Sequence, residues 1–255
     1  SPGFGYYENS YAMIRATAPS GTVKVGDEAA FSATVTGAYA GASGSKSAEN
    51  ITLFVSDPSE TETLSQPTHK TTATTDASGN LEYIFREPGY YTIAMFNVTP
   101  DDMTYKSVYG EVTIGEYYSL YAGDYAIVHV TKAADINALI TKYRSENLAA
   151  AKAYYERFHD YDFTTADYRT FTSAYNALKS NQTSATTFKE LMDSFDADYA
   201  ALQTAGANAL DHAAIIAALR KNLSYLPDDL STLTAGNKDL VEEIQTAYAA
   251  LNSYQ

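Results

Sequence analysis

Few residues in this chain have the types and spacing that chemistry requires. The four histidines, His69, His129, His159 and His212, include no H-x-x-x-H or H-E-x-x-H pair. That spacing sets two imidazoles on one helical face for zinc. His159 stands beside Asp160 and Asp162, a set with the nitrogen and oxygen donors of a local metal site. The plainer reading is a polar junction: His159 closes one helix and the acids open the next, where helix dipoles favour each charge. Asp101-Asp102 and Asp228-Asp229 are paired carboxylates in loops and weak calcium candidates. Calcium takes about six to eight oxygens, and neither pair shows the spaced acids of an EF-hand, so a solvated turn is the plainer reading. Gly41-Ala42-Ser43-Gly44-Ser45 lacks the G-x-S-x-G order of a nucleophile elbow. The dispersed glycines form no phosphate-binding loop. With no Cys, thiolate nucleophiles, thiolate metal sites and disulfides are excluded. No cofactor is expected. Two of the 31 acids standing about 5–9 Å apart would suffice for glycoside hydrolysis, so a carboxylate-dependent hydrolase is one alternative.

The sharpest positive feature is aromatic. Tyr105, Tyr109, Tyr117, Tyr118 and Tyr121 crowd one segment of a chain with 23 Tyr and no Trp. Tyr offers a large amphipathic face at low entropic cost and is favoured in recognition loops. These five are the candidate ligand-binding residues. The competing reading is that about half of them point inward from strands, as period-2 alternation dictates.

Charge narrows the partners. A net charge of −14 and a pI near 4.6 argue against nucleic acid and against anionic lipid. No run approaches the ~18 apolar residues of a membrane span, so no membrane insertion is expected here. Ser1 opens a polar stretch without the apolar core of a signal peptide, so any export signal is expected outside this stretch.

The elements that must position these residues fall into two halves. Residues 1–131 hold 12 of the 14 Gly and 6 of the 7 Pro, whereas residues 132–255 hold 25 Ala. Gly and Pro punctuate turns and Ala favours helix, so a β-rich domain at 1–131 precedes an α-rich domain at 132–255. In the first, Phe31, Ala33 and Val35 alternate, as do Leu81, Tyr83 and Phe85, and Tyr91, Ile93 and Met95. Asp76-Ala77-Ser78-Gly79 has turn chemistry. Seven or so short strands indicate an antiparallel β-sandwich. An insert at about 97–123 carries the tyrosines, and Val108 to Ser119 is expected to form a hairpin about Gly115. In the second half, apolar residues recur at three- and four-residue steps from Ile136 to Phe158, Tyr168 to Leu178 and Phe188 to Leu202. Further helices are expected at Leu210–Leu223 and Lys238–Asn252. Thr187-x-x-Glu190 is a capping-box candidate. Tyr143, Tyr154, Tyr168, Tyr175, Tyr199 and Tyr248 sit on the apolar stripes and read as core. Short connections imply an antiparallel helical bundle.

Two resemblances follow from these residues. TVKVGDEAAFSATV and TTDASGNLEYIFREPGYYTIAMF resemble an immunoglobulin-like module of bacterial surface proteins, with Tyr91 at the tyrosine-corner position. The antibody-type Cys pair and core Trp are absent. DFTTADYRTFTSAYNALKSNQTSATTFKELMDSFDADYAAL is similar to the FIVAR repeat ("found in various architectures"), with Tyr168 where the repeat usually has Trp. The three-helix unit would span about 135–205. LSYLPDDLSTLTAGNKDLVEEIQTAYAAL, within the further helices of 208–255, resembles another spacer unit of Gram-positive surface proteins. These resemblances imply an immunoglobulin-like β-sandwich followed by a helical bundle in a secreted, cell-wall-associated, multi-module protein. They imply no catalytic residue. The expectation is a non-enzymatic surface module for adhesion, ligand binding or spacing, whose partner is an extracellular protein or glycan. A carbohydrate-binding accessory to a secreted glycosidase is the nearest alternative.

Overall fold

A computed structural model describes residues 11–37, 45–96, 117–120 and 125–255. The chain divides into two compact units, Ser1–Leu139 and Ile140–Gln255.

The first unit is built from β-strands: β1 (Tyr11–Thr17), β2 (Val23–Lys24), β3 (Glu28–Gly37), β4 (Ser45–Lys46), β5 (Thr52–Val55), β6 (His69–Thr74), β7 (Asn80–Ile84), β8 (Gly89–Phe96), β9 (Tyr117–Leu120) and β10 (Ala126–Thr131). They form two five-stranded sheets that curl in the manner of a half-barrel. One runs β4-β3-β1-β9, with β7 also paired to β3; the other runs β2-β10-β8-β5-β6. The alternation in β3 buries Ala29, Phe31, Ala33 and Val35 on one face. Ile14, Leu53, Phe85, Ile93 and Met95 complete a core of fully buried side chains.

Two pairings depart from an all-antiparallel expectation. β2 lies parallel to β10, and β9 lies parallel to β1. The first arises because the chain crosses from one sheet to the other after β1, through Pro19 and Gly21, the latter at φ +81°. The second concerns the hairpin expected about Gly115. Tyr117–Leu120 pairs with β1, and the other arm of that hairpin lies outside the described residues.

The turn before β7 closes through Asp76, whose Oδ1 accepts from the backbone N–H of Ser78 (2.9 Å) and Asn80 (3.0 Å). Gly79 takes φ +82° there, and a Cβ would run into the Ala33 carbonyl oxygen, so only Gly satisfies the position. Tyr91 donates its hydroxyl to the Glu87 carbonyl at 2.7 Å. Burial, with Glu87 close by, pushes its phenol above the ordinary range.

The second unit is helical, drawing on α1 (Ile136–Tyr155), α2 (Thr165–Ser184), α3 (Phe188–Gly206), α4 (His212–Ser224) and α5 (Lys238–Ala249). Thr164, Thr187 and Asp211 are N-caps, accepting from Asp167, Glu190 and Ala214 N–H. The expected reciprocal bond of the Thr187 box falls one residue early: Glu190 Oε2 accepts from the N–H of Thr186 at 3.1 Å. Phe171 is fully buried, ringed by Tyr154, Tyr155, Phe158 and Phe163. Tyr175 is buried, and Tyr154, Tyr168 and Tyr199 pack against the same core. Tyr248 departs from its expected core role and is 70% exposed. Its stripe on α5 contains no buried residue, so periodicity there marks a face that is only partly covered.

One polar network lies inside this unit. Gln182 is fully buried and accepts from Asn147 Nδ2 at 3.0 Å while donating to the Leu191 carbonyl at 2.9 Å. Arg144 donates to the carbonyls of Gln182 and Ala185, both at 2.8 Å, which caps the C-terminal end of α2 with a cation. α1, α2 and α3 are thereby joined through side chains that leave no obvious alternative register.

Candidate functional site

The expected ligand-binding tyrosines divide in two. Tyr117 and Tyr118 open β9, in register with Tyr11 and Ala12 of β1. Tyr105, Tyr109 and Tyr121, with the calcium candidates Asp101 and Asp102, lie outside the described residues. Among the described residues, no three His, Asp or Glu converge to hold a metal ion. The His159 junction shows where its carboxylates go. Asp160 Oδ1 accepts from the N–H of Tyr161 at 2.8 Å, and Asp162 Oδ2 accepts from the N–H of His159 at 2.7 Å. Asp229, of the second acidic pair, is spent on the N–H and hydroxyl of Ser231, which hold its carboxyl below the usual carboxylate range.

Two aromatic grooves were not singled out from the sequence. The first is in the β unit. Tyr90 and His129 are directly opposed across β8 and β10, one residue out of phase with the buried Tyr91, Val128 and Val130. They therefore project from the other face. Their rings stack at 4.1 Å with an interplanar angle of 7°. Cross-strand opposition brings them together, and that depends on register. Ser59 bridges to Tyr90 through two backbone hydrogen bonds, of 2.8 and 2.9 Å. Gly89, at φ +146°, allows this approach, since a Cβ there would stand 2.6 Å from Pro58 Cβ. The result is a cavity of 530 Å³ walled by Pro58, Pro88, Tyr90 and His129, with Glu60 and Lys132 at its margin.

The second groove is in the helical unit. His212, in the first turn of α4, sets Nε2 3.1 Å from Asp162 Oδ1 across fifty residues of chain. Its Nδ1 lies 2.9 Å from Gln255 Nε2. Gln255 Oε1 already accepts from the N–H of Asn252 at 3.0 Å, so the amide nitrogen must face His212. Nδ1 is then an acceptor and Nε2–H a donor to Asp162, which sets one neutral tautomer. A carboxylate-oriented imidazole is the usual frame of a general base, yet here both nitrogens are engaged and no lone pair is left for a substrate proton. His212 is a wall of the site. Tyr254 stacks on Tyr161 at 4.2 Å and 7°, and Asn252 Nδ2 ties down the Tyr161 carbonyl at 2.6 Å. A cavity of 610 Å³ runs beside them along α4, from His212 past Ile216 to Arg220.

The only sequence signal for this cluster is the His159–Asp162 stretch, read as a polar junction with a local metal site as the lesser alternative. It supplied Tyr161 and Asp162 but not their distant partners His212, Tyr254 and Gln255. Compared with known proteins, the chain matches no family model, no curated protein and no solved structure.

Proposed function

We propose that this chain is a non-enzymatic binding module of a larger bacterial cell-wall-associated protein, acting in adhesion or ligand capture. The observation that carries the reading is the stacked Tyr90–His129 pair in its proline-walled groove. Rigid aromatic side chains give contact area at low entropic cost, and a pair already stacked has little freedom left to lose. The engaged nitrogens of His212 favour a binding role over a proton-transfer role at the other groove.

An immunoglobulin-like identity for the β unit is supported by the parallel β2–β10 pairing and the sheet change after β1. The Tyr91 hydroxyl bonded back to Glu87 fits a tyrosine corner. A FIVAR-like identity for the helical unit draws on the quoted motifs and on the Thr164 and Thr187 caps. In this reading Tyr105, Tyr109, Tyr117, Tyr118 and Tyr121 form a second contact surface.

The test is an array of extracellular proteins and glycans probed with the full chain. Tyr90→Ala with His129→Ala should weaken the captured ligand by about tenfold or more, as loss of aromatic anchors does. Alanines at the five insert tyrosines measure the second surface. A ligand bound equally well by both sets of variants would refute the proposal.

A further inference from the structure

We infer that the trough along α4 binds an acidic saccharide, with Tyr254 stacking on a sugar ring and Arg220 pairing with its carboxylate. This inference is independent of the groove in the β unit.

The trough is built on one helical face. His212, Ile216 and Arg220 recur every fourth residue, with Ala213 and Ala217 beside them, so all five line one side of α4. From His212 to Arg220 the helix rises about 12 Å, the length of a short oligosaccharide. The alanines keep the floor low and Ile216 makes it apolar. Tyr254 and Gln255 form the facing wall.

That wall is preorganised. Asn252 Oδ1 accepts from the N–H groups of Tyr254 (3.1 Å) and Gln255 (3.0 Å), which locks the backbone turn that carries both side chains. Tyr161 covers one face of the Tyr254 ring, yet the residue stays 58% exposed. The ring is thus fixed in place with surface left to cover. Gln255 uses one amide N–H on His212 and keeps the second for a ligand hydroxyl.

Charge selects the ligand class. The chain carries a net charge of −14, but among the described residues no Asp or Glu side chain lines the trough; Asp162 stands behind His212. Arg220 is exposed and makes no ion pair or hydrogen bond within the described residues. At physiological salt, charges beyond about 8 Å are largely screened, so Asp162, at the His212 end of the trough, does little to offset the Arg220 guanidinium about 12 Å along the helix. A guanidinium fork matches a carboxylate in two parallel hydrogen bonds. The floor argues against an extended peptide, because helical backbone groups are spent within the helix and offer no edge to pair with. An apolar ring face with a polar rim and one carboxylate fits these parts.

The probes are a hexuronate oligosaccharide and its carboxyl-reduced neutral counterpart, titrated by calorimetry into the full chain. The acidic form should bind at least about tenfold more tightly, by one charge-assisted pair. Arg220→Gln should abolish that preference, while Lys221→Gln on the same helix should leave it intact. Tyr254→Ala should weaken both sugars. Equal binding of the two sugars, binding of neither, or an acid preference that survives Arg220→Gln would overturn the inference. Loss of binding at the Tyr90–His129 groove would leave these outcomes unchanged, so the two proposals fail separately.

Discussion

Gln182 offers the sharpest test of how the helical unit is held together. It is fully buried, and Asn147, its partner on α1, is 6% exposed. Leucine at 182 keeps about the same volume but removes the Oε1 that accepts from Asn147 Nδ2 at 3.0 Å. The donor is left with only Met192 Sδ at 3.7 Å, a weak acceptor. A buried donor without a proper partner costs about 1–3 kcal/mol. The Leu191 carbonyl loses Gln182 Nε2 but keeps the Ser194 hydroxyl at 3.3 Å, so little is added there. The Arg144 bonds to α2 are made to backbone carbonyls and survive the substitution. Asn147→Leu alone strands Gln182 Oε1 and should cost a similar amount. With both replaced, no polar group is orphaned, and the double variant should lie within about 1 kcal/mol of the parent. With single losses of about 2 kcal/mol each, the cycle then gives a coupling of about 3 kcal/mol. Urea unfolding followed by helical circular dichroism measures all four corners, with an unchanged m-value as the control for two-state behaviour. A double variant that loses the sum of the two single losses would refute the reasoning.

Two further predictions concern the β unit. Tyr91→Phe should cost about 1 kcal/mol at neutral pH through the lost bond to Glu87. Folded Tyr91 holds its proton more tightly than an unfolded tyrosine, so it contributes stability below pH 10 that is lost as pH rises above it. Alkaline urea titrations should therefore fall more steeply for the parent than for Tyr91→Phe; parallel curves would contradict the buried phenol. Gly21 and Gly79 share a φ near +80°, but only Gly79 faces a neighbour, the Ala33 carbonyl. Gly21→Ala should cost about 1–2 kcal/mol for the left-handed backbone. Gly79→Ala should cost about 1–3 kcal/mol more for the forced shift, and equal losses in thermal unfolding would count against the packing described.

Which features were legible from sequence follows from the range over which each is decided. The alternation of Phe31, Ala33 and Val35, the Asp76–Gly79 turn and the Thr187 cap are settled within a few residues, and the structure shows each. The stripe on α5 was legible as a face, but periodicity says nothing about what covers it, and Tyr248 is exposed. Gln182 interrupts no pattern: a polar residue on an apolar stripe looks like noise until Asn147 and Leu191 are brought to it. Both grooves belong to this last kind. Tyr90 meets His129 only once β8 and β10 pair in one register, and a slip of β10 by one residue would turn His129 toward the core and away from Tyr90. His212 likewise finds Asp162 only after the chain has folded back. Side chains brought together in this way leave no local motif, because nothing in their own neighbourhood requires them. The His159–Asp162 stretch, whose plainer reading is a polar junction, has its carboxylates on local backbone N–H groups. Its carboxylates looked like metal ligands in isolation, yet one of them spends its geometry on holding an imidazole still beside an exposed tyrosine. Rigidity at that point, rather than donor chemistry, is what the acid supplies.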